Sequence, residues 1–154
     1  MLFKKILLAS LVCVIPQLTI AAPSINDMQT CQGLLDFLQI KLKTAPAKYS
    51  PADVAKVRKG LNGYNQYIQS QIVTPGLVKF NKGDKAKASA MQKQVDAYKL
   101  TLVKGYQQRY PQNRLFLDHA IAVNNCAKIA VPSGQALNEL KVALNTIVAL
   151  AKLN

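Results

Sequence analysis

Hydrophobic positions along this chain recur at three- and four-residue steps in five stretches, and proline or glycine stands at the breaks. Such spacing puts one apolar face on each of five helices. From about Ile25 to Lys43 the face is Met28, Cys31, Leu35, Leu38 and Leu42, which places Cys31 on the core side. Ser24 with Asp27 three residues on predicts a capping-box-like start, and Thr44-Ala45-Pro46 predicts the end. Ser50-Pro51-Ala52-Asp53 predicts a second start: a cap, proline at the first helical position and an acid in the first turn. Val54, Val57, Leu61, Tyr64 and Ile68 form the second stripe. Gly60 and Gly63 interrupt it, either weakening the helix or admitting another backbone. Thr74-Pro75-Gly76 is expected to stop it.

Leu77, Val78 and Phe80 fall in the following link, and Gly83-Asp84 opens a third helix that runs to about Tyr110. Its stripe is Ala88, Met91, Val95, Tyr98 and Leu102. Tyr110-Pro111 is expected to end this helix and begin a fourth, on which Phe116, Ala120, Val123 and Ala127 share a face and Cys126 lies near the end. Ser133 is the expected cap of the fifth helix, whose Leu137, Leu140, Leu144, Ile147 and Ala151 repeat as a heptad. Val142, Ala143, Val148, Ala149 and Leu150 broaden that stripe, so this helix should be central or should bury one face against a partner. Strand-like alternation, hairpin signals and internal repeats do not occur. The predicted fold class is all-α, an antiparallel bundle of four to five helices with short connections.

The first 21 residues follow a different pattern. Lys4 and Lys5 precede an apolar run from Ile6 to Ile15, and Thr19-Ile20-Ala21 offers small residues ahead of Ala22. This predicts a signal peptide over 1–21, cleaved before Ala22, and a single helical domain over 22–154. The apolar run is too short to span a bilayer. The short basic start and compact signal have a bacterial character, so the expected location is periplasmic or secreted.

Export changes the reading of the cysteines. Cys13 leaves with the signal, and Cys31 and Cys126 are expected to form one disulfide in an oxidising compartment. In an up-down-up-down bundle the start of the first helix and the end of the fourth lie at the same end. The bond would close a loop of about 95 residues, for which chain entropy gives about 4–5 kcal/mol. A redox pair is the alternative, but no Cys-x-x-Cys is present.

Charge narrows the partners. The chain has 20 basic and 7 acidic side chains, and without Lys4 and Lys5 the formal net charge falls from +13 to +11. A basic exported domain attracts anions: lipid or lipopolysaccharide head groups, nucleic acid or an acidic protein. Lysines that merely keep the chain soluble are the plainer reading. Lys79, Lys82, Lys85 and Lys87 crowd the start of the third helix, where like charge opposes the helix dipole. They are the candidate anion-binding residues, in a region that is otherwise expected to be mobile. Lysine and tyrosine interleave at Tyr98-Lys99 and Lys104-Gly105-Tyr106, yet no nucleic-acid module is visible and export removes most such partners.

Candidate chemistry is sparse. His119 is the one histidine, expected at the surface or a boundary, and adjacent Asp118 points about 100° away around a helix. Asp27, Asp53 and Asp84 occupy cap or first-turn positions that favour negative charge. No hydrolase elbow, phosphate loop or dinucleotide fingerprint occurs, so no catalytic residue, metal site or cofactor is expected. Met28 or Met91 with His119 has the chemistry to ligate haem, but both methionines lie on core stripes. Tyr64 and Tyr98 belong to stripes, whereas Tyr67, Tyr106 and Tyr110 lie at stripe edges. Tyr67, Tyr106, Arg109 and Tyr110 carry the aromatic-plus-arginine chemistry of binding hot spots and are the candidate partner-binding residues. Boundary tyrosines at a helix end are the plainer reading.

Two exported helical families share short features with this chain. Thr30-Cys31-Gln32 with Leu34-Leu35, and Val73-Thr74-Pro75-Gly76-Leu77-Val78, resemble segments of the HdeA/HdeB acid-stress chaperones, although Phe80 stands near where that family has its second cysteine. Cys31 in the first helix, Gly63-Tyr64 with Tyr67-Ile68 in the second, and Tyr110-Pro111 ahead of Ala120 and Cys126 resemble the Tai-type immunity proteins of type VI secretion. That family usually has more cysteines and lacks the long last helix. Each likeness covers a third of the chain or less. Both imply a non-enzymatic protein that binds a periplasmic or incoming protein, as an immunity-type inhibitor or chaperone-like factor. A basic envelope protein that binds anionic lipid or lipopolysaccharide is the alternative.

Overall fold

Serine caps open the first two helices. In the computed structural model, which describes residues 23–153, helix α1 spans Ile25–Lys43 and helix α2 spans Pro51–Ile68. The Ser24 hydroxyl accepts the Asp27 N–H at 3.1 Å and donates to its carboxylate at 2.6 Å. Ser50 does the same for Asp53, with Pro51 in the first turn. The expected signal segment 1–21 and its cleavage point before Ala22 lie outside the described residues.

The stop expected at Thr74-Pro75-Gly76 does not occur. Helix α2 widens into a π turn over Gln69–Val73 and continues as α3 (Thr74–Phe80). The Thr74 N–H reaches the Gln69 carbonyl, five residues back. An extra residue in that turn makes room for the proline ring and its missing N–H, so the helix is deformed rather than broken. Leu77, Val78 and Phe80 therefore belong to a helix that packs on α4 (Lys85–Arg109), not to a free link. After Phe80 the chain reverses through Lys82 (φ +52°) and Gly83 (φ +89°), with the Gly83 N–H closing on the Val78 carbonyl at 2.9 Å. Asp84 then caps α4 by accepting the Lys87 N–H at 3.0 Å, which offsets the lysines crowded at that end.

Helix α5 (Leu117–Ile129) starts later than Tyr110-Pro111 suggests, because residues 110–116 form an irregular connection. Helix α6 (Gly134–Lys152) follows Ser133, which occupies the cap position without a side-chain cap bond. The described residues contain no strand, and the helices form an all-α bundle. The Cys31–Cys126 disulfide joins α1 to α5, the fourth long helix, across a Cα–Cα distance of 5.7 Å.

The breadth of the last apolar stripe pointed to an α6 that is central or buries one face against a partner; α6 buries one face within the bundle, and α1 is the element that is most enclosed. Met28, Cys31, Leu34, Leu35, Phe37, Leu38 and Leu42 are all buried, and α1 touches α2, the π turn, α4 and α5. Gly33 lets α4 in: a Cβ there would stand 3.0 Å from the Leu102 Cβ. Helix α6 buries one face (Leu140, Ala143, Ile147, Leu150) on α2 and α5 and leaves Val142 exposed. A polar seam ties α1 to its neighbours. The Gln32 Nε2 donates to Asn65 Oδ1 at 2.9 Å and Gln69 Oε1 at 3.1 Å, while Gln69 Nε2 donates to Gln92 Oε1 at 2.9 Å. Asn65 Nδ2 donates to Asp36 at 2.7 Å, and Asp36 pairs with Lys99 at 3.2 Å.

Of the two roles open to Gly60, the structure gives it the second, admitting another backbone. A Cβ there would lie 2.3 Å from the Glu139 carbonyl oxygen and 2.6 Å from the Ala143 Cβ. Gly60→Ala should therefore force α2 and α6 apart and lower unfolding free energy by about 2–3 kcal/mol in denaturant titrations. Gly105, on α4, has nothing within 4 Å of its Cβ position, so Gly105→Ala should raise stability by about 0.5–1 kcal/mol. Equal effects of the two substitutions would show that the α2–α6 crossing is looser than this geometry.

Candidate binding groove

The expected polar chemistry divides into an internal cluster and a surface groove. His119, expected near the surface, is 1 % exposed. Its imidazole sits edge-on among Phe37, Tyr110 and Phe116, with ring centroids 5.7, 4.9 and 5.3 Å away. The Phe116 N–H donates to its Nδ1 at 3.2 Å, so the neutral ring carries its proton on Nε2. That Nε2 is buried and has no hydrogen-bond partner among the described residues. Burial is the main cause that pushes the His119 pKa down to about 4, and the nearby Lys41 charge adds to it against a smaller opposing effect of Asp118.

Lys41 is buried too, with its ammonium 5.2 Å from the Phe37 ring centre. It donates to the Tyr110 carbonyl at 3.0 Å and to the Gln112 carbonyl, and burial lowers its pKa. These bonds hold the 110–116 connection against α1. The same cluster absorbs two of the four candidate hot-spot residues. Tyr106 stacks on Phe37 at 5.5 Å, and Tyr110 packs against Phe37, Phe116 and His119. Arg109 is exposed, with its guanidinium 5.5 Å from the Tyr110 ring centre. Tyr67 lies elsewhere. It stacks on Tyr64 and donates its hydroxyl to the Val131 carbonyl at 2.9 Å. Among the described residues no ring contact or hydrogen bond joins Tyr67 to the other three.

The lysines lie around the α3–α4 turn, and all four are exposed. Lys87 pairs with Asp84 at 3.3 Å. Lys79, Lys82 and Lys85 form no ion pair among the described residues.

A groove of about 710 Å³, which none of these lysines lines, opens between the start of α1, α3 and α4. Ile25, Gln29 and Thr30 line its α1 wall, Leu77 and Phe80 its α3 wall, and Met91, Gln94, Val95 and Tyr98 its α4 wall. Phe80 is 69 % exposed and Tyr98 is 51 % exposed, although Tyr98 falls on a stripe that predicts burial. The stripe continues on α4, but at Tyr98 no helix among the described residues covers it. Sequence spacing marks Met91 and Tyr98 as one face; it carries no sign that the space in front of them is open. Gln29 lines the groove while only 4 % exposed, and its carboxamide has no hydrogen-bond partner among the described residues. An apolar floor, two exposed rings and free amides suit a ligand with both apolar and hydrogen-bonding groups.

The His119 cluster has a measurable consequence. Its folded pKa lies below its ordinary value of 6.5, so its contribution to stability is complete above pH 6.5 and is lost as pH falls toward 4. Unfolding free energy should drop by about 3 kcal/mol across that window. His119→Leu should flatten this part of the profile, whatever it does to stability at neutral pH. Chemical denaturation at stepped pH checks this, and an unchanged slope in the variant would rule out His119 as its source.

No protein-family model matches the chain, and no curated protein or solved structure matches it.

Proposed function

We propose that this chain is an exported, non-enzymatic helical protein that binds a macromolecular partner in the bacterial envelope, as an immunity-type inhibitor or a chaperone-like factor. The observation that carries the reading is the open groove between α1, α3 and α4, with Phe80 and Tyr98 presented to solvent at its rim. Large exposed rings beside a preformed apolar depression are the usual anchors of protein interfaces. Two further features support it. His119 is enclosed by aromatic rings and hydrogen-bonds to backbone, an arrangement that stabilises a loop rather than one that meets a substrate. Six of the acids hold helix caps or ion pairs: Asp27, Asp36, Asp53, Asp84, Asp96 and Glu139. The signal-like pattern of residues 1–21 supports export.

The unpaired Lys79, Lys82 and Lys85 favour a second reading, attachment to anionic lipid or lipopolysaccharide. It differs from the first in salt response, because attraction by exposed charge is screened within about 8–10 Å at physiological ionic strength.

Expression of the full chain in a Gram-negative host, followed by fractionation and mass measurement, should place it in the periplasm with Ala22 as its first residue. Crosslinking in that compartment should then yield a defined adduct with another protein. An uncleaved cytoplasmic chain would overturn the export reading, and adducts with lipid alone would replace the first reading with the second.

A further inference from the structure

Among the described residues no lysine or arginine lines the groove. The one acid that does, Asp27, sits exposed in the first turn of α1, where the helix N-terminus answers its charge. It also accepts the Ser24 hydroxyl at 2.6 Å. The floor is aliphatic, with Leu77 and Val95 buried beneath the exposed Phe80 and Tyr98. The walls carry amides, Asn26 and Gln29 on α1 and Gln94 on α4, none with a hydrogen-bond partner among the described residues. Gln29 is the most informative of them. It is more than nine-tenths buried, yet its carboxamide is not sealed in the core. Among the described residues the sealed side-chain atoms without a partner belong to Gln32, Arg114 and His119. The little surface that Gln29 keeps therefore includes its carboxamide, and it lines the groove. That group offers an acceptor and two donors which no described residue takes up.

Resting on the partner-binding reading above, we propose that this groove seats an uncharged amphipathic segment of another polypeptide, in which apolar side chains are flanked by amides. The apolar side chains pack on Leu77 and Val95 between Phe80 and Tyr98, and the flanking amides pair with Gln29 and Gln94. The lining selects an uncharged occupant. A carboxylate set against the buried Gln29 would leave water with no cation lining the groove to meet it. An ammonium there would find only Asp27, already engaged, and the formal +11 of the chain from residue 22 on repels a basic segment. The same net charge opposes a second copy. The aliphatic floor selects a polypeptide over a saccharide, whose hydroxyls would lie on Leu77 and Val95 without partners. The amide walls select it over an acyl chain, which would leave Gln29 unpaired.

Synthetic peptides test the assignment on the full secreted chain. A helical peptide of about 18 residues, with leucines on one face and glutamines flanking them, should bind. Counterparts with glutamate or lysine at the flanking positions should each bind about tenfold more weakly. Binding of the glutamine peptide should not weaken as salt rises, because no ion pair forms. Phe80→Ala and Tyr98→Ala should each weaken it about tenfold. Gln29→Leu should weaken it and remove its advantage over a peptide with alanines at the flanking positions. Ile121→Ala, on the exposed face of α5, should leave it unchanged. Equal binding of the three peptides, preference for a charged one, loss of binding in high salt, or indifference to Phe80→Ala and Tyr98→Ala would overturn the proposal. So would a chitin oligosaccharide or phosphatidylglycerol vesicles that displace the glutamine peptide and lose their own binding on Phe80→Ala, or a concentration-dependent dimer that Phe80→Ala abolishes. A periplasmic protein adduct that survives Phe80→Ala and is not displaced by the glutamine peptide would overturn this assignment alone and leave the general binding reading standing.

Discussion

Burial of α1 on nearly every side obliges the other helices to close around it, and most of the architecture follows from that constraint. A single helix cannot hide so much surface against one neighbour. Helix α4 reaches it across Gly33, α2 and the π turn cover a second side, and α5 is tied to it through Cys31–Cys126. The disulfide limits the unfolded chain and also fixes which end of α5 meets α1. Helix α6 is then left on the outside, against α2 and α5, where the Gly60 crossing brings its backbone close.

Enclosing α1 also encloses polar groups that must find partners. Gln32 and Lys41 are the clearest cases. Gln32 becomes the centre of an amide chain that links α2, the π turn and α4. The π turn matters here beyond making room for Pro75, because Gln69 within it bonds to Gln32, Thr74 and Gln92 together. Lys41 turns a cost into a tether. Its ammonium has no buried carboxylate to pair with and instead takes two carbonyls of the 110–116 connection, beside the neutral His119. A charged and a neutral nitrogen group are thus packed in one aromatic cluster, where burial and the Lys41 charge both disfavour protonation of His119.

The candidate groove exists because that closure is incomplete at one end. The start of α1, α3 and the middle of α4 line a depression of about 710 Å³ between them. Phe80 is exposed where α3 ends, and Tyr98 where no helix among the described residues lies over α4.

Local chemistry was sufficient to read the helix starts at Ser24, Ser50 and Asp84, the buried faces of α1 and α2 and the pairing of Cys31 with Cys126. Each depends on neighbours a few residues away, on a periodicity, or on a helix order that brings the start of the first helix and the end of the fourth together. The passage of the helix through Pro75, the late start of α5, the burial of His119 and the centrality of α1 were decided by tertiary structure. Each depends on what a distant segment supplies: room for a widened turn, the Lys41 ammonium under residues 110–116, three rings around an imidazole, or neighbours on several sides of one helix. The groove belongs to the same class. Sequence marks Tyr98 as one more member of an apolar stripe, and only the arrangement of the other helices leaves it facing solvent, because a stripe records which face is apolar and not whether anything covers it.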